Sequence, residues 1–150
     1  MSDLAWMKLA LEEARRAQEL GEVPVGSIVV REGRIIGRAH NLREGSKDPL
    51  AHAEVLAIRE ASGKMASWRL EGCTLYATLE PCAMCAGALV NSRVQRLVFG
   101  ARDPKAGFCG SLGNLVRNER LNHQLEVREG VLAEESAQLL REFFRGLRGA

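Results

Sequence analysis

Thr78-Leu79-Glu80-Pro81-Cys82-Ala83-Met84-Cys85 carries the chain out of a strand and into a helix, and sets two cysteines three residues apart at the join. The run from Cys73 to Leu79 has the length and apolar, β-branched character of a strand. Proline is favoured at the first helical position, so Pro81 is expected to open a helix that reaches about Asn91. At a helix start, residues three apart share a face, which aims both thiols the same way. The positive end of the helix favours their thiolate forms. The rest of this helix (Ala83, Met84, Ala86, Gly87, Ala88, Leu89, Val90) is apolar all round. Such a helix is expected to be covered on every side, one of them by a second copy of the chain.

Working outward from this join, strands and helices alternate. Upstream, a helix is expected over Ala51 to Ser62, preceded by strands Val25 to Arg31 and Arg34 to Ala39 that Glu32-Gly33 joins as a tight hairpin. The first helix runs from Asp3, taken as its N-cap, to Leu20, with Gly21 as the stop and Leu4, Met7, Leu11 and Ala14 as the buried stripe. Downstream, Arg96 to Gly100 is a strand, and after a glycine-rich loop Gln124 to Arg128 alternates like an edge strand. The final helix spans about Ala133 to Leu147. The stripe Leu132, Ser136, Leu139, Phe143 and Leu147 places Phe143 in the core, with Phe144 turned away beside Arg145 and Arg148. This order predicts an α/β fold: a mixed, partly parallel sheet with helices on both faces, one domain over residues 1–150.

Composition bounds the function classes. With 46% hydrophobic and 27% charged residues in 150, the chain has the balance of a globular protein with room for a core. No apolar run approaches the roughly 20 residues of a membrane span. Met1 to Trp6 shows neither a basic nor an apolar signal region, so a cytoplasmic protein without a membrane role is expected. In a reducing compartment, closely spaced members of the set Cys73, Cys82, Cys85 and Cys109 point to metal or redox chemistry. Net charge is only +2, but Arg93, Arg96, Arg102, Lys105 and Arg117 face a single acid, Asp103, between Asn91 and Arg117. Arg141, Arg145 and Arg148 add a second basic stretch. Local basic patches suit a polyanion touching one face, and ordinary solvated surface accounts for them as well.

A second segment, Ala51-His52-Ala53-Glu54, completes the chemistry. Zinc favours thiolate and imidazole, and a catalytic site uses three protein ligands and one open position. His52 and Glu54 lie about 200° apart within a helix body, so they serve one site only if His52 stands at the very start of its helix. Asp48-Pro49 supplies cap and starter chemistry just upstream. Two helix starts would then face each other across a zinc held by His52, Cys82 and Cys85. Zinc gives hydroxide at neutral pH, which adds to an aminated base ring while Glu54 moves the protons. Alone, Cys82-x-x-Cys85 also fits a redox pair, and a closed structural zinc with Cys73, Cys109 or His123 as fourth ligand stays open. Jointly, His-x-Glu followed by Pro-Cys-x-x-Cys is the signature of zinc-dependent base deaminases.

Around that signature the chain resembles the bacterial tRNA-specific adenosine deaminases, of the cytidine deaminase-like superfamily. The likeness runs through Glu22-Val23-Pro24-Val25-Gly26, Asp48-Pro49, the two metal segments, Gly100-Ala101-Arg102-Asp103, Asn122-His123 and Phe143-Phe144-Arg145. It implies an αβα sandwich around a five-stranded mixed sheet, one Zn²⁺ per subunit and a homodimer. It also implies conversion of adenosine to inosine at the wobble position of a tRNA anticodon stem-loop. By the same likeness, Asn41 binds the base, Ala53 offers a backbone N–H near the reacting carbon and Val25 packs on the ring. An amide that both donates and accepts suits a purine edge independently, although an Asn at a strand end also forms turns. Phe144 and Arg145 suit stacking on splayed anticodon bases. Asp103 has two readings, a turn at Asp103-Pro104 or a carboxylate acceptor for a ribose 2′-OH. Deaminases of guanine, free nucleotides or pterin-like rings share the metal motif, and a non-catalytic zinc module would need a fourth protein ligand.

Overall fold

Glu32 and Gly33 take left-handed φ of 51° and 73°, the backbone of a two-residue hairpin, and fold β1 (Gly26–Arg31) onto β2 (Arg34–His40). This computed structural model describes residues 1–148, with the side chain of Arg148 outside the described set. Ahead of the hairpin lies α1 (Asp3–Glu19). After it come α2 (Arg43–Ser46), α3 (Ala53–Met65), β3 (Cys73–Leu79), α4 (Ala83–Asn91), β4 (Arg96–Ala101), β5 (Glu126–Arg128) and α5 (Ala133–Arg148). The sheet order is β2-β1-β3-β4-β5. β1 runs antiparallel to both neighbours, whereas β3, β4 and β5 are parallel. This is the five-stranded mixed sheet and αβα layering of the cytidine deaminase-like fold.

Strand alternation builds the layers. Val29, Leu75, Ala77, Leu97 and Phe99 face one way, onto Ala57, Ile58 and Ala61 of α3 and Ala86, Leu89 and Val90 of α4. Ile28, Val30, Tyr76 and Val98 face the other way, onto Trp6, Met7 and Ala10 of α1. Leu139 of α5 closes that second side against Leu11 and Ala14. Both faces are covered, so the middles of β1, β3 and β4 carry apolar side chains on both sides. The approach of α3 to the sheet depends on Gly37. A Cβ there would stand 2.2 Å from the Ala57 carbonyl oxygen, so the helix that begins at the metal segment seats against bare backbone.

Several expected boundaries shift for physical reasons. Ser2 is the N-cap of α1, its hydroxyl accepting from the Ala5 N–H at 3.2 Å. Asp3 is thereby released to bind Tyr76, Arg96 and Arg128. Leu4 is exposed, and Trp6 and Ala10 fill the stripe instead. The short α2 was not expected, and the helix placed at Ala51 begins at Ala53. Asp48 caps no helix: its Oδ1 accepts the Leu50 N–H in a local turn. Pro81 precedes the α4 cap rather than opening the helix. α4 is not covered on every side within one chain: Ala83 is exposed, and Met84, Gly87 and Ala88 are half-buried. In α5, Leu139 is buried and Phe143 half-buried, but Leu147 is exposed.

A candidate metal and base site between two helix starts

His52 is the N-cap of α3 and Cys82 the N-cap of α4, both with extended backbone (ψ 150° and 179°). Helix caps are usually short polar residues that bond the first free N–H groups. Neither His52 nor Cys82 makes a side-chain capping bond, which leaves the imidazole and thiol for other use. The extended backbone at His52 solves the angular problem: its ring and the Glu54 carboxyl, on the first turn of α3, line the same pocket. Cys85 sits one turn into α4. The His52 Nδ1 lies 3.6 Å from the Cys82 Sγ and 3.5 Å from the Cys85 Sγ. All three ligand atoms are within 4.8 Å of one another. Nitrogen and sulfur ligands at ordinary zinc bond lengths and tetrahedral angles stand about 3.5 Å apart, so the spacing and the donor set both fit that ion.

These three groups also bond one another. Hydrogen bonds from the Cys85 thiol and from His52 pull the Cys82 thiol down to about 4. Its bond to Cys82 raises His52. Cys85, donating to Cys82 and buried, is pushed far up. A bound divalent cation reverses that last effect, because a coordinating thiol gives up its proton. Burial pushes Glu54, only 4% exposed, above the usual carboxylate range.

Among the described residues, no other cysteine or histidine joins the cluster. Cys73 faces the Met65 sulfur at 3.7 Å, Cys109 faces the Pro81 carbonyl and His123 bonds the Val94 carbonyl. A fourth protein ligand from that set is therefore ruled out.

A pocket of about 200 Å³ opens beside the ligands, at the C-terminal ends of β3 and β4. Small against the 300–1,000 Å³ of drug-sized sites, it has room for a base more readily than for a larger ligand. Val25, Asn41, Ala53, Glu54 and Asp103 all line it. Asn41 makes the turn its bland reading required, accepting from the Arg43 N–H at 3.1 Å and donating to the Val23 carbonyl at 3.3 Å. An amide has two donors and two acceptor sites, so one of each remains. Asp103 also makes its turn, accepting from Lys105 and Ala106 N–H. The neighbouring Arg102 guanidinium bonds Glu129. Phe144 and Arg145 do not enter the pocket. They line a separate groove with Lys105, Leu140 and Arg141, in which Phe144 is 43% exposed. The loop after β4 thus gives Asp103 and Ala106 to the pocket and Lys105 to the groove.

The basic stretch expected between Asn91 and Arg117 is divided. Arg96 pairs with Asp3, Arg102 with Glu129, and Arg93 lies over Trp68 with Arg117 beyond, at the far end of β4 from the pocket. Sequence reasoning also passed over Val23, Arg43, Leu79, Glu80 and Ala106, which line the pocket. Glu80, a charged residue between a buried strand and a proline, was the one with a visible signal.

A family model for MafB19-like deaminases matches residues 1–148. The chain belongs to the deaminase family. A tRNA-specific adenosine deaminase of Bacillus subtilis (strain 168) is 58% identical over 146 residues, 97% of this chain and 91% of that protein. A solved structure from work on A-to-I editing by tRNA:A34 deaminases at the wobble position superposes with a TM-score of 0.87 at 43% identity, covering 91% of this deaminase and 99% of that chain. A guanine deaminase from Nitrosomonas europaea superposes at 0.82 with 27% identity, covering 95% of this chain and 84% of that one. This deaminase thus shares its fold with enzymes that act on a base within RNA and on a free base.

Proposed function

We propose that this deaminase converts adenosine to inosine at the wobble position of a tRNA anticodon, with one zinc per subunit held by His52, Cys82 and Cys85. The observation that carries the proposal is the base-sized pocket that His52 and Cys82 of the ligand cluster line together with the buried Glu54, beside an exposed cationic groove. When bound, zinc supplies a hydroxide nucleophile at neutral pH. Glu54 is the proton carrier: it would take the proton of the water that becomes hydroxide and pass it to the ring nitrogen, then carry the proton of the added hydroxyl to departing ammonia. The Ala53 N–H, free at the start of α3, donates near the reacting carbon. Val25 packs on the ring, and the unused donor and acceptor of Asn41 meet the purine edge.

Lys105, Phe144 and Arg145 favour a base carried by RNA over a free one. A ring to stack on and cations for phosphate are contacts that guanine alone leaves idle. The uncovered α4 face of Ala83, Met84, Gly87 and Ala88 is the surface on which a second copy would pack, giving a homodimer. No described helix is long and apolar enough to cross a membrane, and the proposed substrate places the work in the cytoplasm. The test compares kcat/KM for an anticodon stem-loop bearing a wobble adenosine, for free adenosine and for guanine. The stem-loop should lead by orders of magnitude. Guanine as the best substrate would overturn the assignment.

A further inference from the structure

Glu80 is 2% exposed and immediately precedes Pro81-Cys82, yet no step of the proposed reaction uses it. Its carboxylate is fully engaged. Oε1 accepts from the Asp103 N–H at 3.0 Å and from the Ser111 hydroxyl. Oε2 accepts from the N–H groups of Cys109 and Ser111, each at 3.0 Å. An ionised carboxylate has about four acceptor sites, and four donors fill them. All four come from one loop, the segment 102–111 that supplies Asp103 and Ala106 to the pocket and Lys105 to the groove. That loop also returns to the metal segment, the Phe108 N–H donating to the Pro81 carbonyl at 2.9 Å. Gly107 makes the close approach feasible, since a Cβ there would stand 2.3 Å from the Glu80 carboxyl carbon.

We propose that Glu80 is a positioning residue for substrate: it clamps the loop 102–111 so that pocket wall and groove are held in register with the metal ligands. The inference rests on the assignment of an RNA-borne base as substrate. Glutamine is not a conservative replacement here. Its amide offers two acceptor sites and two donors, so two of the four loop donors would meet N–H instead of oxygen. The loop would loosen while His52, Cys82 and Cys85 keep their places at the starts of α3 and α4.

The experiment measures zinc-loaded Glu80→Gln beside wild type for zinc content, amide exchange over 102–111, and KM and kcat on the wobble-adenosine stem-loop. The expected result is about one zinc per chain, exchange at Cys109 and Ser111 faster by about tenfold or more, and KM raised by about tenfold or more, the scale of a lost charged hydrogen bond. The kcat should stay within about threefold, because the reacting groups are untouched. Ser111→Ala removes one donor and leaves the carboxylate, and should show the same split at smaller size. It decides the matter if Glu80→Gln does not fold. Unchanged exchange and KM, or a loss confined to kcat, would overturn the proposal. A wild type inactive on the stem-loop would sink the substrate assignment alone, and amide exchange would still judge the clamp.

Discussion

Replacing Glu54 with glutamine separates proton transfer from everything else the site does. The side chain is 4% exposed and stands on the first turn of α3, two residues from the His52 cap, outside the His52-Cys82-Cys85 ligand set. Glutamine matches its shape, so pocket and ligand spacing should survive. An amide also escapes the burial cost that raises the carboxyl, so stability should hold or rise slightly. What disappears is a group able to take and return a proton. General acid–base help is typically worth about 10²–10⁴-fold, which at 1.36 kcal/mol per decade is about 3–5 kcal/mol of barrier. The assay is single-turnover inosine formation by the zinc-loaded variant, with metal content and thermal melting on the same sample. About one zinc per chain, an unshifted or raised Tm and a rate down by at least about 100-fold are expected. A rate within about tenfold of wild type, or loss of the metal, would refute the assignment of Glu54.

Three further outcomes follow from the contacts. Asp3 binds Tyr76, Arg96 and Arg128, and the Arg96 bond, the largest cause, holds its carboxyl well below the ordinary 3.8. A depressed folded-state value stabilises above the unfolded value and is lost as pH falls, so Asp3→Asn should lower stability at pH 7 by about 1–3 kcal/mol. Denaturant melts should show the difference shrinking as pH drops below about 3.8, and a gap that stays constant into acid would refute this. Asp103→Asn keeps the turn acceptor but removes the charge. It should narrow the preference for RNA over matched single-stranded DNA while tightening both, and equal changes in the two would assign Asp103 to the turn alone. Phe144→Ala should weaken binding of the stem-loop by about 1–3 kcal/mol, the worth of a stacked base, with zinc content unchanged; an unmoved Kd would place the RNA elsewhere.

The layering was legible because short apolar runs mark β1 and β3 as strands buried on both faces, and helical stripes mark α1 and α5. The metal cluster was legible because His-x-Glu demands that His52 stand at a helix start, and the structure puts it at the α3 cap. What escaped was tertiary. Ser2 outcompetes Asp3 as cap because Asp3 has better partners 73, 93 and 125 residues away. The basic stretch from Arg93 to Arg117 dissolved for the same kind of reason, since Asp3 and Glu129 claim two of its members. The clamp at Glu80 joins residues 23 to 31 positions apart, and no local pattern marks such a pairing.

The central claim is that one metal-dependent pocket acts on one adenosine held in RNA. It is tested most directly by position-resolved inosine mapping of an anticodon stem-loop that carries adenosine at the wobble position and at another loop position. With zinc-loaded protein, inosine should appear at the wobble adenosine, vanish on chelation and return with zinc. Absence of inosine, equal conversion at both positions, or conversion that survives complete removal of the metal would contradict the account.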